Sequence, residues 1–160
     1  MPPEGRQQLL SLAISRKQPA KQLSLFDDSL QNKQQCDVVD FVLDSARTKK
    51  MLKWSLRFLE HVSIIDVKAD KYPELAEKLT KFRLYDEASQ LLAEAIESLD
   101  KIEKILPLDA NRLAGLTSKT MGIAERLGFI TDEEKRKKIE SAQSLIGYED
   151  PHESIGYRKS

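Results

Sequence analysis

Few residues of this chain have the types and spacing that catalysis needs. The two histidines, His61 and His152, lie far apart, and neither stands at a metal-ligand spacing from the single cysteine, Cys36. No glycine-rich phosphate loop, GxSxG elbow or paired-histidine motif occurs. The many carboxylates fall on helical faces beside lysines, a pattern of solubility and ion pairing. The chain is therefore expected to be no enzyme and to carry no metal or cofactor. Two stretches offer binding chemistry instead. Residues 47–57, RTKKMLKWSLR, hold five basic residues and no acid. On a helix Lys49, Lys53 and Arg57 share one side, with Lys50 nearby and Arg47 leading in. Such a face could follow a phosphate backbone, and Trp54 could stack on a base or meet a protein. The competing reading is a solvated basic face paired with acidic helices, with Trp54 half in the core. The other stretch is Gln22, Leu23, Ser24, Leu25 and Phe26. It offers an amide that both donates and accepts, with three apolar anchors within four residues.

That pentapeptide, QLSLF, resembles the short peptide with which many bacterial replication and repair proteins hold the β sliding clamp. In proteins carrying the motif, the glutamine and the leucine–aromatic end enter a groove between clamp subdomains. The resemblance implies that Gln22 is the polar anchor, Leu23 a secondary apolar contact, and Leu25 with Phe26 the main plug. Ser24 matches a position that accepts small polar residues. The match covers these five residues and implies nothing about the fold of residues 37–160. The related peptide of archaeal and eukaryotic clamps places aromatics later, where this chain has Asp28 and Ser29. The bacterial form therefore fits better. The resemblance implies an accessory protein of bacterial or phage replication, repair or mobile-element metabolism. Its partners would be the β sliding clamp and, through the remaining chain, DNA or a second replication or repair protein. The alternative is that Leu23, Leu25 and Phe26 dock an N-terminal arm onto a helical adaptor. A third reading is a direct nucleic-acid binder that uses residues 47–57.

The elements that would carry these stretches are helical. The chain has 160 residues, 40% hydrophobic and 32% charged, with few glycines, prolines and aromatics. Lys plus Arg equals Asp plus Glu at 26 each, which argues against a protein whose main role is to coat nucleic acid. One cysteine excludes an internal disulfide framework. No apolar run approaches the roughly 20 residues of a membrane span. The island LLSLAI is too short and wrongly flanked for a secretory signal, so a cytoplasmic location is expected.

Residues 1–36 are polar, with apolar islands at 9–14 and 23–26, and read as a flexible arm in which a short helix at 7–14 is compatible. A helix is expected over 37–64 with a break near 45–48. The next opens at Tyr72-Pro73-Glu74, where proline suits a first turn. Over 84–105, Ala88, Leu92, Ala95, Leu99, Ile102 and Leu106 alternate steps of four and three. This heptad seam could also hold a second copy of the chain. Pro107 ends that helix, and Asp109 can cap the next, over 110–127, in which Gly115, Ser118 and Gly122 suggest a close crossing. Gly128 suits a left-handed cap, and Thr131 with Glu134 forms a capping box for a last helix closed by Gly147. Residues 148–160 read as a polar tail. The expected fold is all-α: a four- or five-helix bundle over residues 37–147 behind a disordered N-terminal arm.

Overall fold

A computed structural model describes residues 3–15, 29–104 and 110–149. Among these there are α-helices, one 3-10 helix and no strand, as the all-α expectation requires. The helices are α1 (Pro3–Ser15), α2 (Ser29–Asp44), α3 (Lys49–Ser55), α4 (Ile65–Lys81), α5 (Tyr85–Lys104), α6 (Ala110–Arg126) and α7 (Asp132–Glu149). The 3-10 helix, Leu56–His61, continues α3. These seven helices exceed the expected four or five for two reasons. The supposed arm supplies α1, and the 37–64 segment divides at residues 45–48 into α2 and α3. No helix among the described residues is long and apolar enough to cross a membrane.

The α4–α5 pair is the centre of the fold. Tyr72, Leu75 and Leu79 of α4 and Ala88, Leu92 and Ala95 of α5 are almost wholly buried in one cluster. A tight turn joins the two helices. The Leu84 N–H donates to the Leu79 carbonyl (2.9 Å) and the Arg83 N–H to that of Thr80 (3.0 Å), a Schellman arrangement. Such a turn needs a left-handed residue, and Arg83 takes that place with φ +62°. A side chain there costs about 1–2 kcal/mol. Each large apolar side chain buried across the pair returns about 1.5–3 kcal/mol, so packing outweighs the strain. The heptad seam of α5 is consumed by this packing. Ala88, Leu92, Ala95, Leu99 and Ile102 are buried within the chain, and the seam does not present an open surface to a second copy.

The opening of α4 corrects the sequence reading. Pro73 lies inside the helix, not at its start. The chain just before α4 is held from outside. The Gln35 Oε1 accepts from the N–H groups of Ser63 (2.9 Å) and Ile64 (2.8 Å), and its amide nitrogen donates to the Ser63 hydroxyl (3.1 Å). Pro73 disrupts the ladder one turn back, since it has no N–H to offer. In that turn Lys119 of α6 donates to the Asp70 carbonyl (2.6 Å), while also meeting Asp70 Oδ1 (3.1 Å) and Glu74 Oε2 (2.6 Å). Arg112–Asp66 and Arg126–Glu77 continue the same α6–α4 seam of ion pairs.

The expectation of a flexible arm through residue 36 fails on both sides of residues 16–28. Helix α1 packs on α5, burying Leu10 and Ala13, and its Arg6 guanidinium donates to the Leu127 carbonyl beyond α6 and lies over the Tyr85 ring. Helix α2 begins at Ser29, eight residues before the expected start at 37, and includes Gln35. Residues 22–26, Pro107, Asp109 and the tail beyond residue 149 lie outside the described residues.

Local signals near the C-terminal half correspond closely to the structure. Gly128 has φ +86°, and Phe129 and Gly128 donate to the Ala124 and Glu125 carbonyls. Thr131 and Glu134 exchange both bonds of the capping box (2.8 and 3.1 Å). Two glycine readings differ. Helix α7 runs past Gly147 to Glu149. A Cβ at Gly115 or Gly122 would meet nothing within 4 Å, so no close crossing requires them and they leave α6 locally weak.

Replacing Gln35 by Ala removes the acceptor for two N–H groups beside a fully buried Ile64, and is expected to cost about 2 kcal/mol in urea unfolding. A change below about 0.5 kcal/mol would show that water replaces the amide. Conversely, Gly115→Ala and Arg83→Gly should each stabilise by about 0.5–1 kcal/mol, one by helix propensity and one by relief of the left-handed turn. Destabilisation by either would contradict the backbone assignments.

Candidate functional site

The described part of the sequence-derived site is assembled by α2, α3 and the 3-10 helix. The Thr48 hydroxyl caps α3 by accepting from the Met51 N–H (3.1 Å). Leu52 and Ser55 then face inward and are buried, which turns Lys49, Lys50, Met51, Lys53 and Trp54 to solvent. The helix tightens after Ser55, so Arg57 swings further round than an α-helical spacing would carry it. It leaves the Lys49–Lys53 line and places its guanidinium 5.8 Å from the centre of the Trp54 ring and 5.7 Å from that of Phe58.

Phe58 joins two rings. It meets Phe41 of α2 edge to face at 5.5 Å and Trp54 at 5.3 Å. Trp54 is 52% exposed, Phe41 47% and Met51 46%. Trp54 is thus about half buried, the position weighed from sequence. Val39 and Val42, three residues apart, take the inward face of α2 and leave Phe41 outside it.

Among the described residues, several cations on the other helices are paired, and several are not. Lys68, Lys119, Arg126, Lys135 and Lys138 all form ion pairs with carboxylates. Among the described residues, Arg47, Lys49, Lys50, Lys53 and Arg57 form none. Pairing of this stretch with acidic neighbours is not seen among the described residues, and its five basic residues are exposed, as in a solvated face. The result is a set of exposed cations on the same short helical stretch as a half-open aromatic cluster, with Arg57 over its rings.

The other reactive side chains are structurally occupied. Burial pushes the Cys36 thiol above its usual range, and its sulfur donates to the Asn32 amide oxygen, so it is a poor nucleophile. Burial, aided by Glu94, raises the Tyr72 phenol. At Lys119 burial opposes the charge, but hydrogen bonds to Glu74 and Asp70 outweigh it and raise the ammonium above its ordinary value. Lys135 is likewise raised by Asp132 and Glu125. His61 is exposed beside Glu60. Among the described residues no group of three His, Cys, Asp or Glu side chains could hold a metal ion.

Sequence reasoning also missed a groove of about 730 Å³ beside α1, lined by Leu12, Ile14, Ile96, Met121, Phe129 and Ile130 among others. It exists because α1 docks on α5, a tertiary event without a local signal. Compared with known proteins, the chain matches no family model, no curated protein and no solved structure.

Trp54 is the single tryptophan, so its fluorescence reports this face directly. The ratio of iodide to caesium quenching should exceed that of free N-acetyltryptophanamide at equal ionic strength, because the surrounding cations concentrate the anion. A ratio at or below that of the free compound would contradict an excess of positive charge around Trp54.

Proposed function

We propose that this chain is a non-enzymatic accessory module of bacterial or phage DNA metabolism, held on the β sliding clamp by QLSLF. The observation that carries the reading is the pentapeptide itself: Gln22 followed by Leu23, Ser24, Leu25 and Phe26, in the order the clamp peptide uses. Its setting supports the reading. Residues 16–28 join α1 to α2, and both helices are packed on the α4–α5 pair. A peptide between two anchored helices can be taken up by a partner groove without unfolding either helix.

The division of labour follows from affinity. A linear peptide of this size is expected to bind at about the micromolar level, near 8 kcal/mol. Tethering then raises the concentration of the helical body beside the DNA that a clamp encircles, without requiring tight binding by the body itself.

Purified chain should bind a bacterial β clamp with a dissociation constant of about 1–10 µM in calorimetry. Replacing Leu25 and Phe26 together by Ala should abolish binding and leave the helical circular dichroism unchanged. Wild-type protein that shows no binding at tens of micromolar, a level set by about 6–7 kcal/mol, would exclude this function.

A further inference from the structure

We propose that the face formed by Phe41, Trp54 and Arg57 with Lys49, Lys50 and Lys53 is a docking platform for single-stranded nucleic acid. The inference stands on this face alone and does not require the clamp. Three observations meet there. Ring surface is open at Trp54 and Phe41, on a chain with few aromatics to spare. Both rings meet Phe58 edge to face, which gathers them into one cluster. The cations beside them are exposed and form no ion pair among the described residues.

Charge complementarity selects the occupant. The cations from Lys49 to Arg57, not in one line, spread over about 13 Å along α3 and the 3-10 helix, enough to meet a few phosphates. Base stacking on an aromatic side chain is tolerant of sequence and requires an unpaired base face. A duplex offers phosphates but no such face, so it would use the cations and leave Trp54 idle. An acidic protein segment would match the charge but would bring its own apolar anchors, which bind best in pockets. Here the open apolar surface is the ring itself. Arg57, lying over Trp54 and Phe58, is placed to contact a phosphate or to extend the stack.

The test is a titration of the full chain with an oligothymidylate of roughly 20 nucleotides, a length that exceeds one small platform. The single strand should quench Trp54, bind more tightly than a duplex of equal length, and weaken steeply between about 50 and 200 mM salt. Trp54→Ala should weaken binding about 5- to 100-fold, measured by anisotropy of the labelled strand. Lys50→Ala with Lys53→Ala should lower the log–log salt slope by about 1.4 while Trp54 remains quenchable. Both variants alter exposed residues, and unchanged circular dichroism confirms that each is folded. The proposal is overturned if the single strand leaves Trp54 fluorescence unchanged at low salt. It is equally overturned if duplex binds as tightly and Trp54→Ala has no effect. Quenching by an acidic peptide of alternating Asp and Leu, with none by the single strand, would assign the face to a protein partner and reject the nucleic acid.

Discussion

The fold depends on the packing of α4 against α5 across a turn that a bulky residue must enter left-handed. Arg83 is strained there, and the strain persists because Tyr72, Leu75 and Leu79 are sealed against Ala88, Leu92 and Ala95. The other layers use this pair as their base. Helix α1 covers α5, α2 lies on α4, and α6 bridges both before α7 packs on α6. The ion pairs from α6 to α4 follow the same logic. Lys119 supplies a donor in the turn that Pro73 disrupts, and the salt bridges at Arg112 and Arg126 keep the helices in register. Exposed pairs of this kind add little energy individually, so their contribution is alignment more than stability.

What was legible in the sequence was what is encoded locally. The Schellman glycine at 128, the capping box at Thr131 and Glu134, and the seam of residues 88–102 each depend on neighbours within a few turns. The misreadings arise where the deciding partner is distant. Gln35 holds the entry to α4 from almost thirty residues away, so Pro73 looked like a helix start. Residues 9–14 are too few to form a core of their own, and their burial exists because α5 offers a face and Arg6 finds the Leu127 carbonyl. The basic stretch was visible as residue types. Its aromatic company was not, because Phe41 and Phe58 meet only after α2 and the 3-10 helix fold together.

The two proposed binding chemistries fall on different parts of the chain. QLSLF lies between α1 and α2, while the basic aromatic face is built on α2, α3 and the 3-10 helix. Helix α2 is common to both: it receives the chain from the pentapeptide and carries Phe41. The pentapeptide precedes α2 in sequence, and Phe41 stands near the C-terminal end of that helix.

The most direct measurement is hydrogen–deuterium exchange across the chain with and without a bacterial β clamp. The account predicts slowed exchange centred on residues 22–26, with α4 and α5 unchanged and residues 47–57 still accessible. Protection centred on any other segment, or none at saturating clamp, would contradict it.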